Sequence, residues 1–296
     1  MHFSTLITTA VVTMACTTGL VQAAPIQARG QNALYGITYT AKNSDGSCQT
    51  TDEVLQYVKD FSNNGIKHIR TYSQECDQLG NILNAISSVD SSMKVTAAVW
   101  LDGSSGDDEE INNLLSALKA NSKNIKLIDG ITVGNEVIFS GSLSSSALVS
   151  KIKQVKSATS SYNIPVGTVD TPNTFPSDVI AASDVIGVNI HPYFGGVDIS
   201  QAGSNMKQQL NTFKSKAQGK SVFVAETGWP SAGNTNGASV PSVSNVQSYV
   251  NQLRSMSDIE YYYFEALDSN WKPAGNDGVE THFGLYNSNG KSKVSF

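Results

Sequence analysis

Eight short apolar runs, rich in β-branched and aromatic residues, recur along the chain. They begin near Leu34, Lys67, Lys94, Leu127, Pro165, Asp184, Ser221 and Ile259. Their mean spacing is about 32 residues, the length of one strand–helix unit. The runs do not alternate polar and apolar residues, as expected of parallel strands covered on both faces. The intervening stretches carry helical periodicity: Val54, Leu55, Val58 and Phe61 share one face, and Leu79, Ile82, Leu83 and Ile86 share another. Helices are predicted over 51–61, with Thr50 or Thr51 as cap, and over 76–86, 107–118, 143–158, 206–213 and 242–256. Between the fifth and sixth runs there is room only for a short segment at 175–182. Eight such units predict an α/β fold, a single (β/α)8 TIM barrel with a reduced fifth βα unit. A doubly wound open sheet is the competing architecture. It would favour a Gly-x-Gly-x-x-Gly turn after the first strand, and none is present. No internal boundary is visible, so one domain over 34–296 is expected.

The first residues read differently. The apolar run over 6–21 ends in Val21-Gln22-Ala23, a small-x-small pattern that marks a secretory signal peptide over 1–23. A membrane anchor is the alternative, but the run is short and broken by Thr and Gly. Residues 24–33 read as a short leader, with Arg29 as a processing site. Cys48 and Cys76 then remain as an even pair in an oxidising compartment, where a disulfide is expected; two buried thiols are the alternative. Charged residues make up 15% of the chain and the formal net charge is −5, so there is no basic excess for nucleic acid to recognise. The four His lie without ligand spacing, so no metal and no other cofactor is expected. No later run is long enough to enter a membrane. A secreted, extracellular or wall-held monomer is expected.

Barrels of this kind carry their chemistry at the carboxyl ends of the strands. The fourth run ends in Gly134-Asn135-Glu136 and the seventh in Glu226-Thr227-Gly228-Trp229-Pro230. Both carboxylates are thereby aimed at the same mouth. Two facing carboxylates suit glycosidic cleavage: one, protonated, donates to the leaving oxygen, and the other, ionised, attacks the sugar carbon or activates water.

The words around these residues carry a resemblance. Val133-Gly-Asn-Glu-Val137, Val224-Ala-Glu-Thr-Gly-Trp-Pro230, Asn270-Trp-Lys-Pro273 and His282-Phe-Gly-Leu-Tyr286 resemble glycoside hydrolase family 17, the β-1,3-glucanases. Asp45-Gly-Ser-Cys48, Cys76 and Phe264-Glu-Ala-Leu-Asp268 are similar to its compact fungal cell-wall branch. The resemblance runs from Tyr35 to the C-terminus. It implies Glu136 as general acid/base and Glu226 as a nucleophile that forms a covalent glycosyl-enzyme. It implies Asn135 as donor to the sugar 2-hydroxyl, Tyr193 as the group that holds the nucleophile, and Tyr72 as a sugar contact. Lys272 and Glu280 match a pair that binds substrate and tunes the acid. Plant members carry a Glu shortly before the matched Lys, where Asp268 and Ser269 stand here; Glu265 or Asp268 is the substitute. Arg70 either buttresses Glu226 or pairs with a structural acid. Trp229 and Trp100 are candidate sugar platforms, with core packing as their alternative.

The implied substrate is β-1,3-glucan or its laminari-oligosaccharides, and the implied enzyme is a retaining glucanosyltransferase with endo-glucanase activity. Two other readings are a non-catalytic wall-binding protein and a related glycanase acting on another polysaccharide.

Overall fold

The computed structural model describes residues 33–296, so the expected signal peptide and leader, apart from Ala33, lie outside the described residues. Eight parallel strands form a closed barrel in chain order: β1 (Gly36–Thr38), β2 (His68–Arg70), β3 (Lys94–Val99), β4 (Ile128–Asn135), β5 (Val166–Asp170), β6 (Val185–Asn189), β7 (Ser221–Thr227) and β8 (Tyr261–Tyr263). Closure comes from β1 pairing with β8 through Gly36↔Tyr262 and Ile37↔Tyr263. Each strand falls inside or within two residues of its predicted run.

The helices packed around the barrel are α1 (Thr51–Asn63), α2 (Gln78–Val89), α3 (Asp107–Ala120), α4 (Ser145–Thr159), α5 (Ser177–Ala182), α6 (Ala202–Lys214) and α7 (Val243–Arg254). Thr50 caps α1 in a reciprocal capping box with Glu53. The fifth unit is reduced as expected, with a helix of 6 residues. Helices α4 and α5 begin two residues later than the periodicity places them, at Ser145 and Ser177, and two other starts differ for a visible reason. Helix α2 begins two residues late because Cys76 and Asp77 take φ of 61° and 45°, outside the right-handed helix. Helix α6 begins four residues early, because Asp198 caps a 3-10 turn (Ile199–Gln201) that runs directly into it. Beyond β8 the described residues form turns and isolated bridges, such as Leu267↔Tyr286, in place of an eighth helix.

The main apolar core lies between barrel and helices, from Val54 and Ile82 through Ile131 and Ile152 to Leu253 and Leu285. A second cluster of Val169, Phe223, Ala225 and Tyr262 packs within the barrel. At the amino-terminal end, Asp129 accepts from Thr96 Oγ1 at 2.7 Å and pairs with His68 at 3.1 Å, which gives it a structural role. Cys48 and Cys76 form a disulfide with Cα atoms 5.3 Å apart and a sequence separation of 28. It ties the loop after β1 to the loop after β2, both on the carboxyl face of the barrel.

Candidate active site

Both carboxylates sit at irregularities in strand register, Glu136 just beyond one and Glu226 within another. The register between β4 and β5 slips between Thr132 and Asn135, and that between β7 and β8 slips between Val224 and Thr227. A bulge adds a residue and re-aims the side chains beyond it, and bulges concentrate beside active sites. At the end of β4 the chain passes through Gly134 at φ 81° and Glu136 at φ 55°. A glutamate in the left-handed region costs on the order of 1–2 kcal/mol. The turn is held by Glu136 N donating to Val169 O at 2.9 Å, and by Ile138 N donating to Asp170 Oδ2 at 3.0 Å. After β7, Gly228 is required: a Cβ there would lie 2.1 Å from Phe264 O.

A continuous chain of hydrogen bonds joins the two carboxylates across the mouth. Asn189 Nδ2 donates to Glu136 Oε1 at 2.7 Å and to Asn135 Oδ1 at 3.2 Å. Arg70 Nη2 donates to the same Asn135 oxygen at 2.9 Å, and Arg70 Nη1 donates to Glu226 Oε1 at 3.0 Å and to Ala225 O at 3.1 Å. Arg70 is fully buried at the end of β2. With Asn135 Oδ1 taken by two donors, its Nδ2 is left for a ligand. His191 Nε2 lies 3.3 Å from Glu226 Oε2, so each oxygen of this carboxylate has its own donor.

The two glutamates are driven apart in ionisation. Burial alone would raise Glu226, but the His191 and Arg70 hydrogen bonds and charges outweigh it and hold the carboxyl at about 2. Glu136 is pushed above the ordinary carboxylate range, first by burial and then by the negative charge of Glu226, with Asn189 and His191 opposing. The site therefore pairs one carboxyl that gives up its proton readily with one that holds it more tightly than usual, the division of labour that acid-assisted displacement needs.

The neighbouring expectations divide. Tyr72 lies in the site: the Arg70 guanidinium stacks over its ring at 4.6 Å, and burial and the Glu226 charge raise its phenol. Lys272 Nζ donates to Glu265 Oε2 at 2.7 Å, and Ser269 Oγ donates to the same oxygen at 3.0 Å. The acid beside Lys272 is therefore Glu265, while Asp268 pairs with Lys293. Glu280 is half-buried, raised by desolvation, and close enough to His191, Lys272 and Glu226 to feel their charges. Arg70 does buttress Glu226.

Two expectations are corrected. Tyr193 does not hold Glu226; its hydroxyl donates to the Asn234 carbonyl, and the ring is buried against Trp229 and Phe283. The donor to Glu226 is His191, two residues earlier. Trp229 is fully buried, with Nε1 donating to Val240 O at 3.0 Å, so neither face can take a sugar. Trp100, by contrast, is 45% exposed beyond β3. Phe139, Phe194 and Trp271 are likewise exposed, and each stands beyond the carboxyl end of a strand, around the same mouth. Aromatic residues past a strand end, outside the helical periodicity, were the available signal for these three. Asn189 and Asp170 were also missed; each is the last residue of its strand. Among the described residues, no group of three or more His, Cys, Asp or Glu side chains is arranged to hold a metal ion.

Comparison with known proteins places this geometry. A family model described as the BtgE/BtgC glycoside hydrolase domain matches residues 36–284. The chain is 30% identical over 259 residues to the probable beta-glucosidase btgE of Aspergillus fumigatus, across 86% of this chain and 45% of that protein. It is 31% identical over 263 residues to the probable family 17 glucosidase SCW10 of Saccharomyces cerevisiae, across 86% of this chain and 64% of that one. The chain thus spans about half to two-thirds of the length of these relatives. The glycoside hydrolase family 17 beta-1,3-glucanosyltransferase of Rhizomucor miehei superposes with a TM-score of 0.78 at 30% identity, over 90% of this chain and 98% of that one. An active-site mutant of the Rhizomucor miehei beta-1,3-glucanosyltransferase in complex with laminaritriose gives a TM-score of 0.80 at 29% identity over the same shares.

Proposed function

The chain belongs to glycoside hydrolase family 17, and from that premise we propose that it is a retaining β-1,3-glucan-active enzyme that transfers glycosyl units to a sugar acceptor and, in part, to water. The observation that carries this reading is the hydrogen-bonded line from Glu136 through Asn189, Asn135 and Arg70 to Glu226, with the proton affinities of the two carboxyl groups shifted in opposite directions.

In the first step Glu226 attacks the anomeric carbon while Glu136 gives its proton to the departing glycosidic oxygen. The Glu226 carboxylate becomes a glycosyl ester, and its negative charge is lost. That loss removes the repulsion that raised Glu136, which then takes a proton from the incoming hydroxyl as that oxygen displaces Glu226. This chemistry sets the carboxyl groups about 5–5.5 Å apart. Asn135 Nδ2 serves the 2-hydroxyl, where hydrogen bonds strengthen in the transition state. Tyr72 flanks the reacting sugar, and Lys272 with Glu265 and Glu280 forms the polar wall opposite.

Transfer over hydrolysis is favoured by the exposed rings of Trp100 and Phe139, which stand on the β3–β4 side, beside the acid. A flat apolar face there holds an acceptor pyranose in line with the glycosyl-enzyme and gives it an effective concentration that water lacks. One barrel supplies every group, so a monomer suffices. The disulfide fits an oxidising, extracellular or cell-wall setting.

Mass spectrometry of the products from short laminari-oligosaccharides, with Glu226→Ala as control, tests the reading. Products longer than the substrate, absent with the variant, are expected; Trp100→Ala should shift the mixture toward shorter ones. Cleavage that survives Glu226→Ala would refute the assignment of the nucleophile. An untouched substrate would leave a glucan-binding protein or an enzyme for another polysaccharide.

A further inference from the structure

One oxygen of Glu226 is held by a group that cannot titrate and the other by one that can. Oε1 is bonded to Arg70, which is charged at every relevant pH, while Oε2 faces His191 Nε2. The His191 ring is walled by Phe194, Phe264 and Phe283, with centroids 5.9, 5.3 and 5.6 Å away and planes inclined to it by 68°, 88° and 74°. Its side chain is 11% exposed. Its Nδ1 is buried without a hydrogen-bond partner. Among the described residues no carbonyl or carboxylate fixes that nitrogen, so the hydrogen bond that orients the ring is Nε2–H to the nucleophile. The ionisable groups that face it are Glu226 from β7, Glu136 from the end of β4 and Glu280 from the C-terminal segment. Arg70 stands beyond Glu226, and Lys272 beside Glu280. A tyrosine was expected to hold this carboxylate, and a phenol would carry its proton throughout the working range. An imidazole does not.

We propose that His191 is a positioning residue that also gates the site by protonation: the neutral ring, with its proton on Nε2, holds Glu226 ready for attack, and a second proton on Nδ1 arrests it. The inference rests on the reading of Glu226 as nucleophile. The balance is one proton taken from solvent at Nδ1, with no bond to carbon made or broken. The consequence follows from bond strength. Once the ring is charged, Nε2–H···Oε2 becomes a charge-assisted bond, roughly twice as strong as its neutral form. It then holds negative charge on the carboxylate at the moment when attack on the anomeric carbon must remove that charge. Glu226 itself stays ionised down to about pH 2. The acid limb of activity therefore belongs to His191, and the alkaline limb to Glu136.

The test compares pH profiles of kcat/KM on a laminari-oligosaccharide for the wild type and His191→Gln. The glutamine amide can still donate to Glu226 but takes no proton. The wild type should lose about tenfold per pH unit below the ionisation of His191. In His191→Gln the acid limb should move at least one pH unit lower while the alkaline limb stays. In parallel, 15N NMR of histidine-labelled wild-type protein, assigned by replacing His68, His191 and His282 one at a time, should show the His191 ring titrating at the midpoint of the acid limb. Superimposable acid limbs, or a His191 midpoint that does not coincide with the limb, would overturn the gate. If His191→Gln fails to fold, the wild-type NMR midpoint, assigned from the other two variants, decides alone. A wild type that cleaves no β-1,3-glucan, or cleavage that survives Glu226→Ala, would fail the functional reading instead, and the two failures are separate.

Discussion

Arg70→Met isolates the electrostatics on which the site depends. The guanidinium is fully buried and bonded to Glu226, Asn135 and the Ala225 carbonyl. The replacement keeps most of the side-chain volume and removes the charge and three hydrogen bonds. Breaking a buried pair by deleting one partner typically costs about 3–5 kcal/mol, because the other charge is left uncompensated. Here that charge is Glu226, held at about 2 in the native protein. A carboxyl depressed in the fold contributes stability above its unfolded pKa and loses it as pH falls through the folded one. In the wild type that loss is therefore confined to the range from about pH 5 down to pH 2. In Arg70→Met the carboxyl, still buried, loses the charge and hydrogen bond of Arg70 and rises from its native value, so it supplies less stability at neutral pH than in the wild type. The stability gap between the two proteins should therefore be widest near pH 7 and narrow by on the order of 3 kcal/mol by about pH 2. At about 2–4 °C per kcal/mol for a domain of this size, the difference is readable in thermal melts by circular dichroism across that pH range. A gap that does not change with pH would refute the reasoning, since a purely steric cost of Arg70→Met has no reason to follow a proton.

Two further predictions concern neighbouring features. Asn189→Ala removes the hydrogen bond that opposes the upward push on Glu136, so the alkaline limb of kcat/KM should move to higher pH while the rate falls by tenfold or more; a limb that stays or moves down would contradict the assigned contact. The Cys48→Ser/Cys76→Ser double variant opens the 28-residue loop and should lose about 3 kcal/mol in denaturant unfolding, with no change in the pH profile of any residual activity.

The legibility of the fold follows from where its information lies. Each strand is a local apolar run that ends in a turn, so β3 over Lys94–Val99 or β5 over Val166–Asp170 can be located without knowing its partners. The closed order β1 to β8 then follows from repetition. Helix starts were less visible, because they depend on backbone states that hydrophobic periodicity does not encode: the left-handed Cys76 and Asp77 before α2, and the Asp198-capped turn before α6. The absent eighth helix was foreshadowed only by the lack of an apolar period after Tyr263.

The carboxylates were legible because strand ends are, and Glu136 and Glu226 sit immediately there. Apart from Arg70, their partners were not, because a bulge shifts which neighbour faces which. The resemblance pointed to Tyr193, yet the register places His191 against Glu226 and turns Tyr193 into the core beside Trp229. Trp229 shows the limit of composition: an indole next to a catalytic motif can pack behind it as readily as present a face. Asn189 was invisible because its role exists only across the barrel mouth, toward a residue 53 positions earlier.

The central claim is that Glu226 attacks the sugar itself. Proton NMR of the first-formed reducing ends from a laminari-oligosaccharide, read before mutarotation, tests it most directly. Two displacements at one carbon return the β anomer, which is the predicted early signal; initial release of the α anomer would contradict the account.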